Sequence, residues 1–246
     1  MNGKSKIEWT GSTWNPTTGC TKLSAGCTNC YAEKMALRLK SMGLEKYKDG
    51  FKIKMHPSSL KEPYSWKKPR MVFVNSMSDL FHESMPLSFI EKVFSVMKEN
   101  PQHIFQVLTK RSELLSKYSN SLNWTQNIWM GVSIEDFTQI GRLQNLKSTN
   151  AAIKFLSIEP LLTELPYLDL SGIDWVIVGG ESGAKYRSIH KDWVVSIKNN
   201  CNDFNVPFFF KQWGGKNKKK NGRLLDGKTY DEMPFQEEFQ DLLVSY

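Results

Sequence analysis

From residue 71 onward, six short apolar runs recur along the chain, at 71–75, 104–108, 128–132, 153–157, 175–178 and 207–210. Each is about five residues long and rich in β-branched or aromatic side chains, the length and composition of a mostly buried strand. The stretches between them carry a helical period. Residues 87–98 place Phe89, Ile90, Val93, Phe94 and Met97 on one face, the pattern of a helix packed on a core. That helix starts at Pro86 or Ser88 and is stopped by Asn100-Pro101. Shorter helices are predicted over 113–117, 138–147 and 193–199, and another over 32–42. Strand–helix alternation of this kind builds parallel βαβ units. Six such strands and a short one before Cys20 make about seven. The expected fold is therefore α/β, a full or partial parallel (β/α) barrel, with an open doubly wound sheet as the alternative. Residues 43–70 and 214–234 read as irregular loop insertions. No repeat or linker divides the chain, so residues 1–246 are expected to form a single barrel-like domain.

Composition narrows the class. With 40% hydrophobic and 24% charged residues, the 246-residue chain is of the folded globular type. No stretch reaches the apolar length of a membrane span. The N-terminus is polar and has no apolar signal segment, so a cytoplasmic location is expected. The formal net charge of +8 favours polyanionic partners or an anionic small substrate. That charge is uneven. Residues 216–220 read Lys-Asn-Lys-Lys-Lys, whereas the segment from Asp231 is acidic, with Glu232, Glu237, Glu238 and Asp241. The lysine tract is either a solvated loop or a phosphate contact.

Three cysteines, Cys20, Cys27 and Cys30, lie in one short run with the spacing C-x6-C-x2-C. Three thiolates on one loop can hold three irons of a four-iron cluster and leave the fourth open, and such clusters are held by loop-borne cysteines. A structural zinc site is the alternative. It wants four ligands, and the fourth would have to come from Cys201, His56, His82, His103 or His190, all distant in sequence. Disulfides need an oxidising compartment, to which nothing in the sequence points. Trp14 and Tyr31 flank the run and are candidates for shielding a cluster from solvent. Cys201 falls within a helical stretch and reads as a buried apolar residue.

Chemistry on parallel sheets sits at the C-terminal ends of the strands. Just past the runs stand Ser78 and Asp79, Lys110 and Arg111, Ser133 and Glu135, Glu159, then Gly179-Gly180-Glu181, and finally Lys211. Strand ends are wet in any case, so a single such residue says little. Six polar ends together favour a lined pocket. Asp79, Glu135, Glu159 and Glu181 suit amines and hydroxyls; Lys110, Arg111 and Lys211 suit carboxylates or phosphates. The glycine pair lacks the spacing of a dinucleotide fingerprint, and the Walker A, G-x-S-x-G and H-E-x-x-H patterns are absent.

The segments Trp14-Asn-Pro-Thr-Thr-Gly-Cys20, Gly26-Cys27-x-x-Cys30-Tyr31-Ala32, Ser78-Asp79-Leu-Phe, Phe105-Gln-Val-Leu-Thr-Lys-Arg111, Gly131-Val-Ser-Ile-Glu-Asp136, Ser157-Ile-Glu-Pro160, Gly179-Gly-Glu-Ser182 and Phe209-Phe-Lys-Gln-Trp213 occur in that order. Together, over roughly residues 7–215, they resemble a phage-associated three-cysteine protein family of uncharacterised function, itself similar to divergent radical S-adenosylmethionine enzymes. The resemblance implies a partial barrel of that type with a [4Fe-4S] cluster on Cys20, Cys27 and Cys30. It further implies S-adenosylmethionine as cofactor, an electron donor as partner, and a 5′-deoxyadenosyl radical as the reactive species. On this reading Ser78 and Asp79 take the methionine amine, and Ser133 and Glu135 hold the ribose. Lys110, Arg111, Glu159, Glu181 and Lys211 then face the substrate. A nucleotide, nucleic acid or modified base is the expected substrate class. The alternative is a zinc-stabilised nucleic-acid-binding or accessory module without redox chemistry. A third reading is a barrel hydrolase with Glu159 and Glu181 as acid and base.

Overall fold

The computed structural model describes residue 5 and residues 7–234; Glu237, Glu238 and Asp241 of the acidic segment lie outside them. Nine strands are formed among the described residues: β1 (Ser12–Trp14), β2 (Thr17–Thr18), β3 (Lys54–Met55), β4 (Met71–Val74), β5 (Ile104–Thr109), β6 (Ile128–Ser133), β7 (Ile153–Ile158), β8 (Trp175–Gly179) and β9 (Phe208–Gln212). The helices are α1 (Tyr31–Ser41), α2 (Leu87–Lys98), α3 (Ser112–Tyr118), α4 (Gly141–Lys147), α5 (Lys191–Asp203) and α6 (Lys218–Asn221). The six apolar runs are the six strands from β4 to β9.

Seven strands form one sheet in the order β1-β4-β5-β6-β7-β8-β9. Every neighbouring pair is parallel. The order never reverses, which excludes the doubly wound alternative, whose hallmark is a reversal at a switch point. Right-handed crossovers that always advance in one direction leave the helices on one face. The sheet curls around its other face. Its end strands β1 and β9 are not paired with each other, so the result is a half-barrel and not a closed one.

Alternation along the strands supplies both faces. Val72, Val74, Phe105, Val107, Met130, Val132, Leu156, Val176 and Phe210 point outward and pack with Ile90, Phe94 and Met97 of α2, Leu143 and Leu146 of α4 and Val194 and Ile197 of α5. The intervening residues Phe73, Ile104, Trp129, Ile153, Phe155, Trp175, Ile177 and Phe209 point inward, where Trp9 joins them. All of these strand residues but Phe73 and Ile177 lie in the N-terminal halves of their strands. They make an aromatic floor that fills the lower barrel and leaves the C-terminal end open. Full burial of each such side chain contributes about 1.5–3 kcal/mol.

Gly131 belongs to this packing. A Cβ at Gly131 would lie 2.4 Å from the Phe155 ring on the neighbouring strand. Gly131→Ala is therefore expected to cost about 1–3 kcal/mol through overpacking, read as a lowered urea midpoint. Combining it with Phe155→Leu should cost less than the sum of the two single changes, because residues in contact couple.

Both insertions have structure that periodicity did not disclose. In the first, β3 pairs antiparallel with β2, and the Trp14 indole donates to the Ser59 carbonyl at 2.8 Å. In the second, α6 forms, and the chain then returns along β9. There the Phe210 amide donates to the Tyr230 carbonyl, and Phe209 and Asp231 form an antiparallel bridge. The return covers an edge strand that would otherwise present unpaired backbone groups. The helix expected over 138–147 begins only at Gly141. Asp136 accepts the Thr138 amide at 2.9 Å and winds residues Phe137–Gln139 into a 3-10 turn first.

Candidate functional site

Above the aromatic floor the inward positions turn polar. Ser133, Ser157, Glu159 and Lys211 succeed the apolar residues at the C-terminal ends of β6, β7 and β9. Lys211 donates to Glu159 at 2.6 Å, and both side chains stay partly exposed. Gly179 makes room for this pair, since a Cβ there would lie 3.2 Å from the Glu159 carboxyl.

The cysteine loop, residues 20–30, lies across these strand ends and is tied to three of them. At the end of β5, Arg111 Nη2 donates to both the carbonyl and the hydroxyl of Thr21 at 3.1 Å. Its Nη1 lies 3.5 Å from Cys20 Sγ. Arg111 is 4% exposed and is itself held by Asp79 at 3.2 Å and Glu83 at 2.9 Å. Just past β6, Glu135 accepts from Ser24 Oγ at 2.6 Å and pairs with Arg142 at 2.7 Å and Lys110 at 3.3 Å. Gly26 presses against it, for a Cβ at Gly26 would lie 2.4 Å from Glu135 Cγ. Past β8, Glu181 accepts from Asn29 at 3.0 Å and pairs with Arg187, which donates to the Ala25 carbonyl at 3.0 Å.

These anchors change the reading of several strand-end residues. Asp79 accepts from the Thr109 hydroxyl, the Lys110 amide and Arg111, so both of its oxygens are engaged. Ser78 bonds Thr17. Glu135, Glu181 and Arg111 grip the cysteine loop, and Lys110 and Arg111 line a cavity of about 650 Å³ on the helix side, between α3, α4 and Leu23. Glu159 and Lys211 are instead the pair that faces the barrel interior. Sequence reasoning missed Ser24, Asn29, Glu83, Arg142 and Arg187. Their only signal is that each is a polar residue within a few positions of a motif.

Electrostatics support an anchoring role. Burial raises the Glu135 carboxyl, but Lys110, Arg142 and Ser24 outweigh it and leave it below its ordinary value. Glu181 likewise is raised by burial and brought lower by Arg187 and Asn29. Both are thus ionised near neutrality. A carboxylate with a lowered pKa is a poor general acid, which weighs against the hydrolase reading for Glu181. A lowered folded-state pKa contributes stability above the unfolded value of about 4.3, lost as pH falls through the folded value. Glu135→Gln is therefore expected to cost about 1–3 kcal/mol at neutral pH. The gap between the variant and the parent should close in strong acid, a pattern that urea melts across pH would show.

The thiols themselves are all free. Burial, and then Asp79, push the Cys20 thiol up to about 11, with Arg111 opposing. Among the described residues no three His, Cys, Asp or Glu side chains are gathered closely enough to hold a metal ion. The donor set is nevertheless of the right chemistry for iron–sulfur or zinc. Three part-exposed thiols lie on one loop that is fastened at both ends. A fourth zinc ligand is harder to find. Cys201 is buried in the core among α5 residues, and His103 is fully buried against Trp66 and Phe105. His190 stacks on Trp193. His82 is closest. Its Nδ1 accepts the Ser84 amide, so the proton sits on Nε2, which donates to the Thr21 hydroxyl at 2.8 Å.

Trp14 does not shield the loop, because it is fully buried in the core against Phe105. Tyr31 is 57% exposed, and its hydroxyl donates to the Ser76 carbonyl. Desolvation of the hydroxyl, with Cys30 and Glu159 nearby, raises its pKa.

Fold and site together define an α/β half-barrel with a three-cysteine loop fastened over the C-terminal ends of its strands. The chain belongs to the DUF5131 family of proteins of unknown function, whose profile matches residues 4–234. Two similar solved structures are both spore photoproduct lyases. A mutant form aligns at TM-score 0.45 and 11% identity, over 80% of this chain and 75% of that one. A form complexed with a dinucleoside spore photoproduct aligns at TM-score 0.41 and 12% identity, over 75% of this chain and 59% of that one. A comparison with curated proteins gives no match. No helix among the described residues is long and apolar enough to cross a membrane.

Proposed function

We propose that this chain is an iron–sulfur enzyme of the radical S-adenosylmethionine type acting on a nucleotide, nucleic acid or modified base. The observation that carries the reading is the placement of three free thiols on one loop, anchored across the open end of a parallel half-barrel. Cys20, Cys27 and Cys30 would hold a [4Fe-4S] cluster. Such a cluster with bound S-adenosylmethionine supplies a 5′-deoxyadenosyl radical for hydrogen abstraction.

The residues of this chain would divide the remaining work. Arg111, Glu135 and Glu181 fix the loop relative to β5, β6 and β8. Asp79, Ser78 and Glu135 would serve the cofactor side through the contacts they make with Arg111, Thr17 and Ser24, and Ser133 would line that side directly. The Glu159–Lys211 pair faces the substrate, and the aromatic floor closes the barrel to water from below. The net charge of +8 supports a phosphate-bearing substrate.

The test is anaerobic reconstitution with iron and sulfide, followed by EPR of the reduced protein with and without S-adenosylmethionine. A four-iron signal that shifts when the cofactor is added is the expected result. Stoichiometric zinc and no cluster would replace this reading with that of a zinc-stabilised binding module.

A further inference from the structure

The unabsorbed feature of the sequence is its lysine tract, and the fold sets that tract beside the open side of the half-barrel. The Gly215 amide donates to the Glu181 carbonyl, and the Gly183 amide donates to the Gly215 carbonyl. The loops after β8 and β9 therefore run together. α6 is joined to them through Asn221, which donates to the Gly214 carbonyl at 2.9 Å. A Cβ at Gly215 would lie 3.8 Å from the Tyr186 ring, and one at Gly183 would lie 3.6 Å from the Lys34 ammonium of α1. Lys34, Lys185, Tyr186, Lys216, Lys219 and Lys220 thus form one continuous exposed rim. It borders the mouth that holds Glu159 and Lys211.

Charge on this rim is uncompensated. The neighbouring carboxylates are already engaged, with Glu8 on Lys218, Glu159 on Lys211, Glu181 on Arg187, Asp226 on Lys191 and Asp231 on Arg223. None of the five rim lysines has an ion-pair partner among the described residues. By contrast, Lys110 and Arg111 are spent on Glu135, Asp79 and Glu83.

We propose that this rim binds a single-stranded nucleic acid, with its phosphates on the lysines and a base stacked on Tyr186. The proposal rests on the nucleic-acid substrate reading above. Tyr186 is 41% exposed. Base–aromatic stacking beside a cationic track is the general device for holding a single strand. A single strand is favoured over a duplex because Glu159 and Lys211 are recessed inside the barrel. A base reaches them only when it is out of the helical stack.

Metal-free protein and a fluorescein-labelled oligothymidylate suffice for the test, read by anisotropy over a salt series. Lys216→Gln/Lys219→Gln/Lys220→Gln should weaken binding roughly tenfold or more. It should also reduce the log–log salt slope by about 2, since each lost phosphate contact on a single strand removes about 0.7. Tyr186→Ala should weaken binding roughly five- to hundredfold with little change in slope. Lys92→Gln/Lys98→Gln on the outer helix α2 should behave as the parent. Parental affinity and slope in the triple variant would overturn the rim assignment while leaving the nucleic-acid reading in place. No strand binding by the parent protein would overturn both, with the cluster assay standing apart. Binding of labelled polyglutamate as tight as that of the strand, and equally unaffected by Tyr186→Ala, would mark an acidic-protein surface and also overturn the proposal.

Discussion

Cys27→Ala protein, reconstituted anaerobically with iron and sulfide, is expected to hold no four-iron cluster. The parent should hold one. Cys27 sits in the short 3-10 turn Ala25–Cys27, and Gly26 beside it is wedged against Glu135. The loop backbone is therefore held in place whether or not residue 27 carries a sulfur. A variant that loses iron while melting at the parent's temperature would tie the loss to ligation and not to unfolding. Cys201→Ala is the matched control. That thiol is buried in the core, so its removal should cost some stability and no iron. An intact iron signal in the Cys27 variant would sink the assignment of Cys20, Cys27 and Cys30 as the ligand set.

The largest stability effect is expected at Trp175. Its ring is fully buried and meets Trp9, Trp129, Phe155 and Phe209 at centroid distances of 6.2, 6.2, 5.8 and 5.9 Å. Its indole N–H also donates to the Glu232 carbonyl at 2.8 Å, holding the returning segment against β9. Trp175→Ala removes the centre of the aromatic floor and should cost about 3–5 kcal/mol. That is a large share of the 5–15 kcal/mol typical of a folded domain. Phe137→Ala, at a residue 60% exposed, should stay within about 0.5 kcal/mol of the parent. Urea unfolding of the three proteins measures the difference. Equal midpoints for the parent and Trp175→Ala would mean that the floor is not a cooperative part of the fold.

The sequence was most legible where a local signal and a tertiary demand coincide. Strands β4 to β9 are apolar and β-branched because both faces of the curled sheet are covered, one by helices and one by the barrel's own interior. A run of that kind shows its identity without reference to its neighbours. The helix over Leu87–Lys98 was legible for the same reason, since its apolar face repeats at the helical period. Pairing of β2 with β3 was not legible, as two residues carry no period and the partner lies in a segment without one. The late start of α4 depends on one side-chain cap at Asp136.

At the site, the cysteine spacing was plain from the chain alone, because three ligands on one loop are local by nature. The strand-end carboxylates and cations were also visible, yet their partners were not. Whether Glu135 meets a ligand or Ser24 depends on contacts spanning more than a hundred residues of chain. The same holds for Glu181 with Asn29 and Arg111 with Thr21. By itself the sequence determined the α/β alternation, the number of strands in the parallel sheet and the thiol loop, all of which are set by local composition and period. Only the tertiary structure decided that the sheet stays open, which carboxylates grip the loop, and that the unpaired lysines gather on the rim. Those outcomes follow from strand order and long-range pairing, on which nearest-neighbour patterns are silent.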